Sequence, residues 1–111
     1  MELNEYQKEI AKHSLYKEIT SIGGLLYTTL NLSSECGSFV NKIKKVIEEK
    51  NGKIHPDDKS ILVQALGDVL MCVSQIADEL YITLDDVALI NLQKLAISIK
   101  EELNQNKENE S

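Results

Sequence analysis

Two acidic residues stand among apolar neighbours, where a carboxylate is out of place. Glu35 is flanked by Leu32, Cys36 and Phe39, and Asp68 lies among Leu66, Val69 and Leu70. A carboxylate turned toward a helix interface has to be paired, hydrogen-bonded or metal-bound, because taking it out of water is costly. Each has a glycine nearby, Gly37 and Gly67, inside what reads as a helix. A glycine costs a helix about 1 kcal/mol relative to alanine, so close approach of another backbone or a ligand is expected at both. Matching glycine–carboxylate pairs on two helices point to a shared pocket. The plainer alternative, with Glu35 paired to a lysine and Asp68 facing water, stays open on the residues alone.

The other reactive side chains carry less. Cys72 lies one turn past Asp68 and Cys36 adjoins Glu35, but small buried cysteines in helical cores are the commoner case. His13 and His55 fall near helix ends, with no base–nucleophile pattern around them. Tyr27 and Phe39 could stack on a base, although core packing is the better expectation for each. Thr28, Thr29, Ser33 and Ser34 make the segment before Glu35 unusually polar. They could hydrogen-bond a phosphate or ribose, or simply cover a helix surface.

Helices must position these groups. A short one is expected over about 3–13, with Leu3, Tyr6, Ile10 and Ala11 on one stripe. "SLYKEITSIGG" reads as a connector, and Gly23-Gly24 as a break. The second helix is expected from Leu25 to Lys50, its apolar residues recurring at spacings of three and four, with Asn51-Gly52 as the stop. "HPDDK" opens the third, since proline suits the first turn and Asp57 and Asp58 its positive end. Its apolar arc is wide, so it should be central. Thr83 with Asp86 resembles a capping box opening the fourth helix, which carries apolar residues as far as Leu103. The domain is expected over 1–103, and "NQNKENES", 104–111, is polar enough to be a disordered tail.

Composition agrees with an all-α bundle. One proline and five glycines in 111 residues leave little punctuation for strands. A chain this short buries a modest core, which makes oligomerisation a natural way to enlarge it. The net charge of −6 argues against a general nucleic-acid or anionic-membrane surface. No segment approaches the roughly 18 consecutive apolar residues of a membrane span. The N-terminus is polar and mixed in charge, unlike a signal peptide. Two cysteines without metal-ligand spacing suit a reducing cytoplasm.

"LNEYQ", "LNLSSECGSFVNKIKK" and "LGDVLMCVSQIADELYITLDDVALINLQKL" follow one another in an order that resembles the MazG-like, all-α NTP pyrophosphohydrolase superfamily. The resemblance covers most of the chain, to about Leu95. It implies four carboxylates on two helices, ExxE and ExxD, that hold magnesium while a nucleoside triphosphate is hydrolysed to monophosphate and pyrophosphate. Glu35 matches the first acidic position and Asp68 the last, as metal ligands. Ser38 and Ala65 stand where the second and third carboxylates would be. Lys42 and Lys45 match a basic pair past the first motif, and Asn91 and Lys94 match the family's Asn and Lys on the last helix.

With two carboxylates missing, magnesium is expected to bind weakly or not at all, while Ser38, Lys42, Lys45, Asn91 and Lys94 remain to hold phosphate. The expected protein is an all-α, MazG-like dimer or tetramer. Its pocket lies between the second and third helices, with the fourth closing it and a neighbouring subunit able to contribute. Its expected ligand is a nucleotide or nucleotide-derived signal that it sequesters without cleaving, for instance as a viral sink for a host messenger. An active magnesium-dependent pyrophosphohydrolase and a non-binding helical scaffold are the alternatives.

Overall fold

A long antiparallel helix pair forms the centre of the molecule. The computed structural model describes residues 1–13 and 21–110, leaving aside the side chains of 21 and 22. Four helices account for most of them: α1 (Leu3–Lys12), α2 (Ser21–Lys50), α3 (Pro56–Glu79) and α4 (Leu84–Glu110), with no strand among the described residues. The all-α expectation holds. Most of "SLYKEITSIGG" lies outside the described residues. Its end does not break the chain: Gly23 and Gly24 sit inside α2, which starts at Ser21.

α2 and α3 pack along their whole lengths. Lys50 donates to Asp58 at 2.7 Å at one end. At the other, a Cβ on buried Gly24 would lie 2.6 Å from Oε1 of Glu79. So the tightly approached glycine is Gly24, which the carboxylate argument did not single out. The stripe of α3 turned toward α2 includes Leu62, Ala65 and Cys72, at 9%, 5% and 1% exposure. By length and composition α3 could also cross a membrane, with a mean hydropathy of 1.6 over 18 residues. That average is reached without 18 consecutive apolar residues, since Gln64, Asp68 and Ser74 interrupt the apolar run. The reason is the wide apolar arc: one side of it meets α2, and Val63, Leu66 and Leu70 lie exposed beside it.

The turns follow local chemistry. Asn51 and Gly52 adopt left-handed φ of 52° and 77° and end α2. Pro56 opens α3, and the His55 amide donates to Asp58 Oδ2 at 3.1 Å. α3 closes with a Schellman pair: the Ile82 amide donates to the Ala77 carbonyl and the Tyr81 amide to Asp78. Tyr81 holds the left-handed position, φ 56°, that glycine usually takes. The Asp86 amide donates to Thr83 Oγ1 at 3.1 Å, the N-terminal cap expected for α4.

α1 lies across α3 and the start of α4. Buried Gln7 joins the three: its Nε2 donates to Asp78 Oδ1 at 2.8 Å and to the Ile82 carbonyl at 3.0 Å, and the Leu84 amide donates to its Oε1 at 2.9 Å. Beyond that joint α4 runs free of the body, exposed at every residue from 91 to 110. It continues as helix through 104–110, the segment read from composition as a disordered tail. Lys, Glu, Gln and Asn there carry no helix breaker.

Candidate functional site

The polar and cationic residues of α2 gather on one flank of the helix pair. Residues 34, 38, 41 and 45 recur at helical spacing beside the line that meets α3, so Ser34, Ser38, Asn41 and Lys45 share a stripe. They border a groove of about 470 Å³ together with Ser33, Gly37 and Lys42. That lining carries two lysines and no carboxylate, a local reversal of the chain's overall negative charge. A second groove of about 270 Å³ continues between α2 and α3, past Lys42, Lys45, Lys50, Asp58 and Leu62.

Within the stripe, Lys42 Nζ donates to Ser38 Oγ at 2.7 Å, one helical turn away. The hydroxyl therefore orients the ammonium. Lys42 is half-buried and Lys45 exposed. At the far end of the second groove, the Lys50 ammonium and the His55 amide hold the Asp58 carboxyl below the usual carboxylate range.

The two carboxylates do come to one neighbourhood. Burial first, then the charges of Glu35, Cys36 and Asp68, push the Cys72 thiol up. Burial, then Asp68 and Cys72, push the Tyr6 phenol up. Glu35 and Asp68 thus both lie within electrostatic reach of Cys72, and Asp68 within reach of Tyr6 of α1. The expectation that both are turned into the interface is corrected in part: Glu35 is half-buried, but Asp68 is exposed. Asp68 falls on the edge of α3, so water solvates its charge.

Other expected site residues are placed elsewhere. A Cβ on Gly37 or Gly67 would meet nothing within 4 Å, so among the described residues no other element approaches either glycine. Asn91 and Lys94 lie on the free stretch of α4, where with Leu95 and Ser98 they border a notch of about 170 Å³. α4 packs on α1 and α3 and not on α2, so within one chain it does not close the pocket. Thr28 is fully buried, its Oγ1 donating back to the Gly24 and Leu25 carbonyls at 3.0 and 3.1 Å. Its hydroxyl is committed to its own helix, whereas Ser33 and Ser34 border the groove.

The fit for magnesium follows from the donors. Ala65 is buried on the α2-facing stripe and offers no oxygen. Ser38 Oγ already accepts from an ammonium, a poor neighbour for a cation. No group of three or more His, Cys, Asp or Glu among the described residues is placed to hold a metal ion. The four-carboxylate cluster therefore does not fit this chain.

Asn41, Tyr6 and Gln7 are the groups that sequence reasoning missed. A signal existed for Gln7, a polar residue on the apolar stripe of α1 between Leu3 and Ile10.

The MazG nucleotide pyrophosphohydrolase domain, as a family model, matches residues 24–103. The Gene 37 protein of Mycobacterium phage L5 is 36% identical over 98 residues, a stretch covering 86% of this chain and 86% of that protein. No solved structure matches.

Proposed function

The chain belongs to the MazG nucleotide pyrophosphohydrolase domain family, and on that footing we propose that it binds a nucleotide or nucleotide-derived signal along α2 and keeps it intact. Family members generally use divalent metals. The observation that carries the reading is the contact of Lys42 with Ser38, at 2.7 Å, in a groove lined by lysines, serines and an asparagine. An enzyme with a carboxylate at residue 38 would spend that position on a metal. Here it serves an ammonium instead.

Lys42 and Lys45 attract phosphate oxygens, while Ser33, Ser34 and Asn41 supply hydrogen bonds beside them. Because Lys42 is already held, it loses less side-chain freedom on binding. Cleavage needs a water activated against the phosphoanhydride and compensation of the charge that develops. The alanine at residue 65 supplies neither. A protein that binds without cleaving acts as a sink in proportion to its amount. A relative from a phage suits a setting in which a virus removes a host's nucleotide messenger.

The test is a thermal-shift panel of nucleoside triphosphates and of cyclic and ADP-ribose-type signals, with and without magnesium, followed by chromatography of each hit. A ligand at about a hundred times its Kd should stabilise the protein by about 2.7 kcal/mol and be recovered intact. Lys42→Ala combined with Lys45→Ala should abolish the shift. A panel without hits sinks the reading and favours a scaffold. Monophosphate and pyrophosphate in the chromatogram would show that Glu35 and Asp68, which do share the Cys72 neighbourhood, suffice for hydrolysis. Ser38→Glu with Ala65→Glu should add magnesium-dependent pyrophosphate release if the groove is a disarmed hydrolase site.

A further inference from the structure

The two grooves along α2 share Lys42 and Lys45 but are chemically unlike. The larger, of about 470 Å³, is bordered by serines, an asparagine and these lysines, without a carboxylate. The smaller, of about 270 Å³, has an apolar floor of Val46 and Leu62, each 9% exposed, with Ile61 of α3 beside them at 51%. Glu49 and Asp58 also border it. A phosphate chain therefore belongs in the larger groove and is repelled from the smaller. What the smaller can take is a flat, mostly apolar group attached to that phosphate.

The two carboxylates differ in what they are free to do. Asp58 is committed: Lys50 Nζ donates to its Oδ1 at 2.7 Å and the His55 amide to its Oδ2 at 3.1 Å. Glu49 is exposed, with no hydrogen-bond or ion-pair partner among the described residues. Lys44 pairs with Glu48 at 3.8 Å, yet Lys45, at the same spacing from Glu49, does not pair with it. An ionised carboxylate only accepts hydrogen bonds. It favours a ligand edge that offers N–H groups and opposes one that presents a carbonyl oxygen.

Given nucleotide binding along α2, on which this rests, we infer that the groove between α2 and α3 is a base subsite selective for an amino-bearing base. Glu49 accepts from the exocyclic amino group, while Ile61, Val46 and Leu62 cover the ring. Dimensions agree with this. A space of about 270 Å³ falls below the roughly 300–1,000 Å³ of sites that enclose a drug-sized ligand, so it holds one ring system and not a whole nucleotide. Glu49 lies one helical turn past Lys45, about 6 Å along the axis, a gap that one pentose bridges between base and phosphate. A uracil or hypoxanthine carbonyl turned toward Glu49 would meet like charge, so the same residue that attracts one base rejects its deaminated analogue.

Isothermal titration of the full chain tests this with matched pairs: cytidine against uridine triphosphate, adenosine against inosine triphosphate, and cyclic adenosine against cyclic inosine monophosphate. Inorganic triphosphate is the phosphate-only probe. The expected result is at least ~10-fold tighter binding of the amino-bearing member of each pair that binds, with inorganic triphosphate weaker than it. Glu49→Gln should shrink that preference to within about threefold, since the neutral amide can also donate to a carbonyl. Ile61→Ser should weaken the nucleotides at least ~5-fold by uncovering the ring and leave inorganic triphosphate unchanged. If either variant loses its far-UV helical signal, the matched pairs on the unaltered chain decide. Pairs bound equally, or inorganic triphosphate bound as tightly as the nucleotides, overturn the base subsite and leave phosphate binding on the cationic groove standing. A preference that survives Glu49→Gln overturns the role of Glu49. A protein that binds none of the probes overturns both the subsite and the nucleotide reading.

Discussion

Replacing Gln7 by leucine keeps the volume of a buried side chain and removes the joint between three helices. Gln7 is 7% exposed and makes hydrogen bonds of 2.8, 3.0 and 2.9 Å to Asp78, Ile82 and Leu84. Leucine would strand the Leu84 amide at a residue only 4% exposed. It would also take from Asp78 the hydrogen bond at Oδ1, while Oδ2 is buried without a partner already. A stranded amide costs about 1–3 kcal/mol and a carboxylate somewhat more, so the expected loss is about 4 kcal/mol. For a domain of this size that lowers Tm by roughly 15–30 °C, and it takes up much of a typical 5–15 kcal/mol of stability. Urea unfolding followed by far-UV circular dichroism, at fixed protein concentration, reads the loss. Asn4→Ala, which removes one exposed cap to the Asp85 amide, should cost about 1 kcal/mol. Gln7→Glu should be damaging at neutral pH, where it faces Asp78. Its deficit should shrink as pH falls, because a protonated glutamic acid can donate to Asp78. A Gln7→Leu loss below about 1 kcal/mol would refute the reasoning, since water would then be replacing the amide at no cost.

Asp58 titrates below its ordinary 3.8 because Lys50 and the His55 amide hydrogen-bond its charged form. A depressed folded pKa adds stability that is present above the unfolded value and lost as pH falls through the folded one. Lys50→Met should therefore cost stability at pH 6 and progressively less below about pH 4, measured by urea midpoints across pH. Tyr81 occupies the left-handed position of the α3 terminus and is 94% exposed. Relief of about 1–2 kcal/mol of backbone strain, less the greater chain entropy of glycine, should make Tyr81→Gly more stable by up to about 1 kcal/mol. A variant no more stable than wild type would mean that the turn is not strained.

Some of the molecule was readable from local chemistry. Spacings of three and four marked the helices, Asn51-Gly52 and Pro56 marked their ends, and Thr83 with Asp86 marked the start of α4, because each of these acts over one or two turns. The family likeness likewise needed only the order of the motifs. What could not be read was which side of each helix meets which neighbour. Glu35 and Asp68 have similar apolar neighbours in sequence, yet one is half-buried and the other exposed. Gly37 and Gly67 resemble close-approach glycines, yet a Cβ on either would meet open space among the described residues, whereas Gly24 lies beneath Glu79. Asn91 and Lys94 follow the family order but leave the body on a helix that turns away from α2. Periodicity gives the face of a helix but not the direction in which that face points. Direction is decided by the few long-range contacts that dock the helices, here Lys50 with Asp58, Gly24 beneath Glu79, and Gln7 across three elements.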